Sequence, residues 1–392
     1  MMKLASRISR ISVSQTMAVS EKSIALREQG VDVIDFGAGE PDFPTPENIK
    51  QAAIRAIQAD FTKYTAIGGI KDLRKAIVEK HARDLGSRFE LAECIVNVGG
   101  KHSIFNIVSA TVDEGEDVVI PTPYWVSFAD IARYAGANIV FAHTREDEGF
   151  RLTADLVQRS ITPKTRLIIA NSPCNPSGAV IDDGEFLKIA TICRERGIYL
   201  LTDECYAFFL YDGRKPFSIA SHPEFKQTVI VSGSLSKTYA MTGWRIGFTL
   251  ADKEIISAIQ KLQSHSTSNP TSIAQKAALE AISGPQESVS QMLAEYARRR
   301  KFVVERLRAI PGVQCAEPGG AFYAYPNIST SFKRGIKDSM DFSVKLLEKA
   351  HVAVVPGEAF GTTDHIRISY ATSMELLDKG IARIADFMRG LA

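Results

Sequence analysis

Nowhere in this 392-residue chain does an apolar run approach the ~18 residues of a membrane-spanning helix, which excludes an integral helical membrane protein. Paired cysteines are missing too. Cys94, Cys174, Cys193, Cys205 and Cys315 lie far apart with no Cys-x-x-Cys spacing. An odd, scattered set argues against a disulfide framework or a zinc site and for reduced thiols, so the expectation is a cytoplasmic protein without a metal. Excess charge of one sign is also lacking. Lys+Arg number 47 against 45 Asp+Glu, a net +2, and no basic stripe with interleaved aromatics appears, so no nucleic-acid partner is expected. There is no internal repeat and no low-complexity segment. The first twenty residues contain no acid and carry Lys3, Arg7 and Arg10. That composition is akin to an organelle transit segment, without the apolar core of a secretory signal.

What is present is an ordinary enzyme-like composition, 45% hydrophobic and 23% charged. The length exceeds the ~250–300 residues that one core serves, so two domains are expected. Short apolar runs alternate with helix-period segments from about residue 95 to 250. The strand candidates are Ile95–Val98, Asp117–Ile120, Asn138–Ala142, Thr165–Ala170, Tyr199–Thr202, Thr228–Ser232 and Arg245–Thr249. Helical spacing lies between several of them, as in Ser103–Val112, Phe128–Ala135 and Glu185–Arg196. This pattern predicts βαβ units and a mostly parallel, doubly wound α/β sheet. Later segments are helical at Lys253–Ser264, Ser272–Ile282 and Glu287–Ala309, strand-like at Ala321–Tyr325, Val352–Val355 and His365–Tyr370, and helical again from Met374. The division that follows is a large domain over 47–286 and a smaller α+β domain over 287–392, with segment 1–46 packing on the latter. The charges of the Glu287–Ala309 stretch read as a solvated face.

Ligands of open parallel sheets bind beyond the carboxyl ends of the strands. Five such loops carry chemistry. They hold Gly99-Gly100-Lys101, Trp125 of "PTPYW", Asn175 of "NSPCNPSG", Asp203 and Tyr206 of "TDECY", and Ser234, Ser236 and Lys237 of "SGSLSK", with Arg245 shortly after. Taken singly each has a plainer reading: a tight turn, a core aromatic, a helix cap, a solvated loop lysine. At one edge they combine into backbone donors, hydroxyls and an arginine for a phosphate, a flat aromatic, a carboxylate, a phenol, an amide and an amine. That inventory suits pyridoxal 5′-phosphate. Lys237 would form the imine with the cofactor aldehyde and shuttle a proton, while Asp203 would keep the pyridine nitrogen protonated. Tyr206 and Asn175 would bond the phenolic oxygen, and Trp125 would stack on the ring. Ser234, Ser236, Arg245 and the Gly99–Gly100 backbone beside Lys101 would take the phosphate.

"NSPCNPSG", "TDECY", "SLSKTYAMTGWRIGF" and "HIRISYAT" together resemble the fold type I pyridoxal-phosphate aminotransferases of class I. "GAGEPDFPTP", "TKYTAIGGIKDLR", "VGGKHSIFN", "PTPYWVSF" and "VAVVPGEAFG" are similar to the bacterial and plant aspartate aminotransferase subgroup, and the resemblance runs from about Ser14 to the end. It implies amino-acid and 2-oxo-acid substrates and a homodimer in which Tyr64 reaches the neighbouring subunit's cofactor phosphate. It also implies that Arg367, helped by the Gly39 backbone, clamps the substrate α-carboxylate near Trp125 and Asn175. Some members of the subgroup accept prephenate, and Thr16 with Lys101 matches the pair associated with that activity.

A dicarboxylic substrate needs a second cation, and "GGK" alone among the remaining strand-end loops offers one, Lys101, with Ser14 and Thr16 as added hydroxyl donors. Departures from the family pattern are Cys174 and Ser177 in "NSPCNPSG", Cys205 in "TDECY", and Gly319 in place of a frequent serine. An aromatic aminotransferase, or a lyase or decarboxylase on the same scaffold, stays open on residues alone. A cofactor-sensing regulator would need a DNA-binding module, and the first forty residues show no helix-turn-helix pattern.

Overall fold

The computed structural model describes residues 4–12 and 15–391. Twelve strands follow one another among the described residues. They are β1 (Ile34–Asp35), β2 (Cys94–Asn97), β3 (Asp117–Thr122), β4 (Asn138–His143), β5 (Thr165–Asn171), β6 (Tyr199–Asp203), β7 (Val229–Ser234), β8 (Gly247–Leu250), β9 (Tyr323–Ala324), β10 (Val352–Ala353), β11 (Val355–Pro356) and β12 (Ile366–Ser369). Seven of them form one sheet in the order β2-β8-β7-β6-β5-β3-β4. Pairing is parallel throughout β4-β3-β5-β6-β7, and β8 runs antiparallel to both of its neighbours. All seven strand candidates between residues 95 and 250 are strands of this sheet. They read as continuous apolar runs because both faces are covered. Ile168 and Ala170 of β5, Leu200 of β6, and Val229 and Val231 of β7 face one core. Leu167 and Ile169, Leu201, and Ile230 alternate into the other.

A second layer holds a three-stranded sheet, β11-β12-β9, and a parallel pair in which β1 joins β10. Its core gathers Phe36, Tyr296, Phe322, Tyr323, Phe342 and Ile368 under the helices Glu287–Arg308 and Met374–Arg389. The latter helix starts where Ser373 Oγ accepts the Leu376 amide at 3.2 Å, a cap that satisfies one of the first-turn donors.

The charged stretch Glu287–Arg308 corrects the reading of a uniformly solvated face. Arg299 and Arg300 are both buried. Arg299 meets both oxygens of Asp42 at 2.8 and 2.9 Å, and Arg300 meets Asp212 at 2.9 and 2.7 Å and Glu317 at 2.9 Å. Consecutive arginines on a helix diverge by about 100°, so one braces the segment near residue 42 and the other the loop after β6. Charge counting along the helix cannot tell which turn faces a neighbouring layer.

Candidate active site

The carboxyl ends of β2, β3, β5, β6 and β7 open on one cavity of about 520 Å³, and the antiparallel β8 begins at the same edge. Its lining includes Gly39, Gly100, Lys101, Trp125, Asn175, Asp203, Tyr206, Ser234, Ser236, Lys237, Arg245 and Arg367. Strand ends supply the first set of these because a parallel sheet aims all its crossover loops one way. Arg367 arrives from the other layer on β12, and Gly39 from the loop after β1.

Asp203 closes β6 and is only 7% exposed. Its Oδ1 accepts the Cys205 amide at 3.1 Å, and among the described residues no basic side chain pairs with it. Burial pushes its carboxyl up to about 7, with the neighbouring Glu204 charge adding to the rise and the Cys205 amide opposing it. Lys237 sits in the turn after β7, half-buried, and Nζ donates to the Gly39 carbonyl. Desolvation lowers its proton affinity. Tyr206 shares a 2.7 Å hydrogen bond with Tyr323, and burial raises its phenol.

Gly99 and Gly100 open the helix Gly100–Thr111. Gly99 has φ +85°, and a Cβ there would lie 2.2 Å from Arg245 Nη2, so only glycine lets the guanidinium approach the helix start. Arg245 itself has φ +56° and donates through Nη1 to the Thr242 carbonyl at 2.7 Å. The strand begins two residues later than the apolar pattern suggested, because that left-handed residue breaks it. Ser234 Oγ accepts the Ser236 amide at 3.1 Å. The Lys101 ammonium is exposed and stands 5.2 Å from the Trp125 ring centroid, with desolvation and Arg245 lowering its proton affinity.

Arg367 is 6% exposed. Nη1 donates to Asn175 Oδ1 at 3.0 Å and Nη2 to the Gly37 carbonyl at 2.8 Å, while Nε has no hydrogen-bond partner among the described residues. Tyr323 and Phe360 flank the guanidinium at 4.5 and 5.1 Å. Asn175 is fixed in turn, its amide donating to Asn171 Oδ1 at 2.8 Å.

Some expected residues stand apart. Tyr64 is 90% exposed and outside the cavity. Ser14 lies outside the described residues; Thr16 falls in the helix Gln15–Glu28, with its side chain undescribed. Gly319 lies away from the cavity, 3.0 Å from Val180 at the position a Cβ would take, so the missing serine hydroxyl does not bear on the lining. Tyr323 was not singled out from the sequence. An aromatic inside "AFYAY" reads as core, and its partnership with Tyr206 follows from the segment before β9 running alongside residues 209–211, where Leu210 bridges Gly320. Among the described residues no cluster of three or more His, Cys, Asp or Glu could hold a metal, and no helix is long and apolar enough to cross a membrane.

The profile of the family described as "Aminotransferase class I and II" matches residues 31–384. An aspartate aminotransferase of Geobacillus stearothermophilus is 45% identical, covering all of both chains. An aspartate/prephenate aminotransferase of Nitrosomonas europaea is 42% identical over 99% of this chain and all of its own. Among solved structures, the aspartate aminotransferase from Rhizobium meliloti superposes with a TM-score of 0.95 at 40% identity, covering all of both chains. That of Thermus thermophilus with maleate superposes at 0.94 and 40% identity, covering 98% of this chain and all of its own.

Proposed function

The chain belongs to the class I and II aminotransferases, and from that premise we propose a pyridoxal 5′-phosphate-dependent aspartate aminotransferase. It moves the amino group between L-aspartate or glutamate and 2-oxoglutarate or oxaloacetate, with prephenate as a further acceptor. The names of full-length relatives support both activities.

The residues fit the cofactor. Asp203 is a buried carboxylate with no cation of its own, which a protonated ring nitrogen would supply. Gly99, Gly100, Ser234, Ser236 and Arg245 form a donor-rich cradle at a helix start, suited to a phosphate. When bound, pyridoxal phosphate supplies a sink for the electron pair left as the substrate α-carbon loses its proton. Lys237, its proton affinity already lowered, carries the cofactor and takes up and returns that proton. Trp125 covers the ring, and Tyr206 and Asn175 serve its phenolic oxygen. Tyr64 reaches the phosphate across a homodimer boundary.

One observation carries the reading: Arg367, buried in the cavity wall and braced on two sides, has no partner for Nε among the described residues. A buried guanidinium with a spare donor is a binding site for a carboxylate. Clamping the α-carboxylate opposes its loss, which favours proton removal over decarboxylation. Lys101, beside Trp125, meets the distal carboxylate, with Ser14 and Thr16 as further hydroxyl donors. The maleate held by the Thermus thermophilus relative is such a dicarboxylate.

The test is transfer from aspartate, glutamate and an aromatic amino acid to a panel of 2-oxo acids that includes prephenate. Wild type is expected to favour the dicarboxylic donors, and Lys237→Ala to be inactive. Lys101→Ala is expected to lower kcat/KM for aspartate by roughly ten- to a hundredfold while sparing the aromatic donor. Absence of transfer from any donor, or full activity without Lys237, overturns the reading.

A further inference from the structure

Asp203 has an acidic neighbour, Glu204, and the two carboxylates face opposite sides of the sheet. Asp203 lines the 520 Å³ cavity, whereas Glu204 lines a separate one of about 50 Å³ behind it, and Ser234 forms part of both walls. Glu204 is half-buried where Asp203 is buried, but its side chain is well covered. Its side chain is 9% exposed, and that of its partner His81 is 4%. Glu204 Oε2 lies 3.0 Å from His81 Nε2, and Oε1 accepts from Ser218 Oγ at 2.5 Å. The other imidazole nitrogen of His81 meets Ser87 Oγ at 2.7 Å. A histidine between a carboxylate and a hydroxyl is satisfied in either charge state, because the hydroxyl can donate or accept. Both ring nitrogens of His81 are thus hydrogen-bonded behind Asp203.

We infer that Glu204, together with His81, is a positioning residue for Asp203: its buried charge sets how tightly the Asp203 side of the cavity holds a proton. The inference rests on the reading that Asp203 faces the cofactor's ring nitrogen. The backbone fixes the spacing, since Glu204 N donates to the Ser232 carbonyl at 2.9 Å and continues the β6–β7 ladder past Asp203. A carboxylate one residue along a buried strand end acts through little water, so its field is weakly screened. The other groups are already engaged or lie across the cavity. Lys80, from the helix that carries His81, pairs with Asp84 at 2.7 Å, and the Tyr239 hydroxyl donates to Gln286 at 2.9 Å. Asp203 neighbours Cys205 and Cys174, while Lys237, Arg245 and Arg367 line the same cavity. The Glu204–His81 pair is therefore the ionisable pair held directly behind Asp203, outside the cavity.

The test compares wild type, Glu204→Gln and His81→Gln. In cofactor-free protein the Asp203 carboxyl is followed by infrared difference spectroscopy against Asp203→Asn, and in loaded protein the cofactor dissociation constant is measured. Glu204→Gln keeps the shape and removes the charge, so the Asp203 midpoint is expected to fall by about one pH unit. Cofactor binding is expected to weaken by up to about tenfold, the equivalent of that shift. His81→Gln removes the imidazole that can oppose the Glu204 carboxylate, and the midpoint is expected to rise. A purely structural role would lower the unfolding temperature and leave the midpoints in place. Unmoved midpoints, or shifts of the same sign in both variants, overturn the inference; should one variant not fold, the sign of the other decides. Failure of the wild type to take up pyridoxal phosphate would sink the functional reading alone, because the carboxyl titration needs no cofactor.

Discussion

Burying a carboxylate away from any cation has a cost that depends on pH, and at Asp203 the direction can be worked out. Its carboxyl is pushed up to about 7 in the fold from an ordinary 3.8. Between those values the folded chain holds a proton that the unfolded chain has lost, so this group's contribution to stability falls as pH rises from about 4 to about 7 and then levels off. Asp203→Asn removes that cost. Cofactor-free Asp203→Asn is therefore expected to be more stable than wild type at pH 8, by an upper bound of roughly 2–4 kcal/mol, with the difference vanishing below about pH 4. Denaturant midpoints across pH would check it. A variant equally stable at pH 8 would mean that the carboxylate finds a cation or water within the fold. The same substitution should abolish most amino-group transfer, as expected where a site is built for function at the expense of stability.

Among the elements, the helix Gly100–Thr111 bears most directly on the cofactor, and its first residues can be tested separately from the rest. Gly99 and Gly115 both have positive φ, +85° and +86°, yet a Cβ at Gly99 would strike Arg245 while one at Gly115 meets nothing within 4 Å. Both alanine variants incur a positive-φ cost, and at Gly99, with ψ 163°, the backbone lies in a region almost confined to glycine. Gly99→Ala alone is expected to displace the guanidinium and raise the cofactor dissociation constant at least tenfold, measured by equilibrium titration of cofactor-free protein. Equal affinities in the two variants would show that Arg245 does not serve the phosphate. The strands around this helix were legible from the sequence because each is buried on both faces and so reads as an unbroken apolar run. Where geometry breaks the pattern, sequence reading failed by a small margin: Arg245 looks like the start of a strand, but its positive φ delays β8 to Gly247. The site residues on strand-end loops were legible for the same topological reason. Tyr323 was not, and neither was the inward turn of Arg299 and Arg300, because aromatic and charge patterns along one element do not reveal which neighbour packs against it.

For the whole molecule, the surface around Tyr64 bears on assembly. Tyr64 is 90% exposed, and Ile54 and Ile57 on the helix Glu47–Gln58 are 42% and 51% exposed. Apolar and aromatic side chains left in water suit an interface. Sedimentation is expected to show a dimer, and Tyr64→Phe to weaken cofactor binding without dissociating it. A fully active monomer would end that part of the proposal. The pairing of β1 with β10 has a consequence for how the chain is made. The residues assigned to the cofactor within one chain all precede β8 or stand at its start, whereas Arg367 and the partner of β1 emerge from the ribosome far later. During synthesis the earliest segment must wait, its strand edge unpaired, while the central sheet closes beside it. On the proposed roles, a nascent chain gains its cofactor cradle well before Arg367, and an amino acid can be gripped only once translation has passed β12.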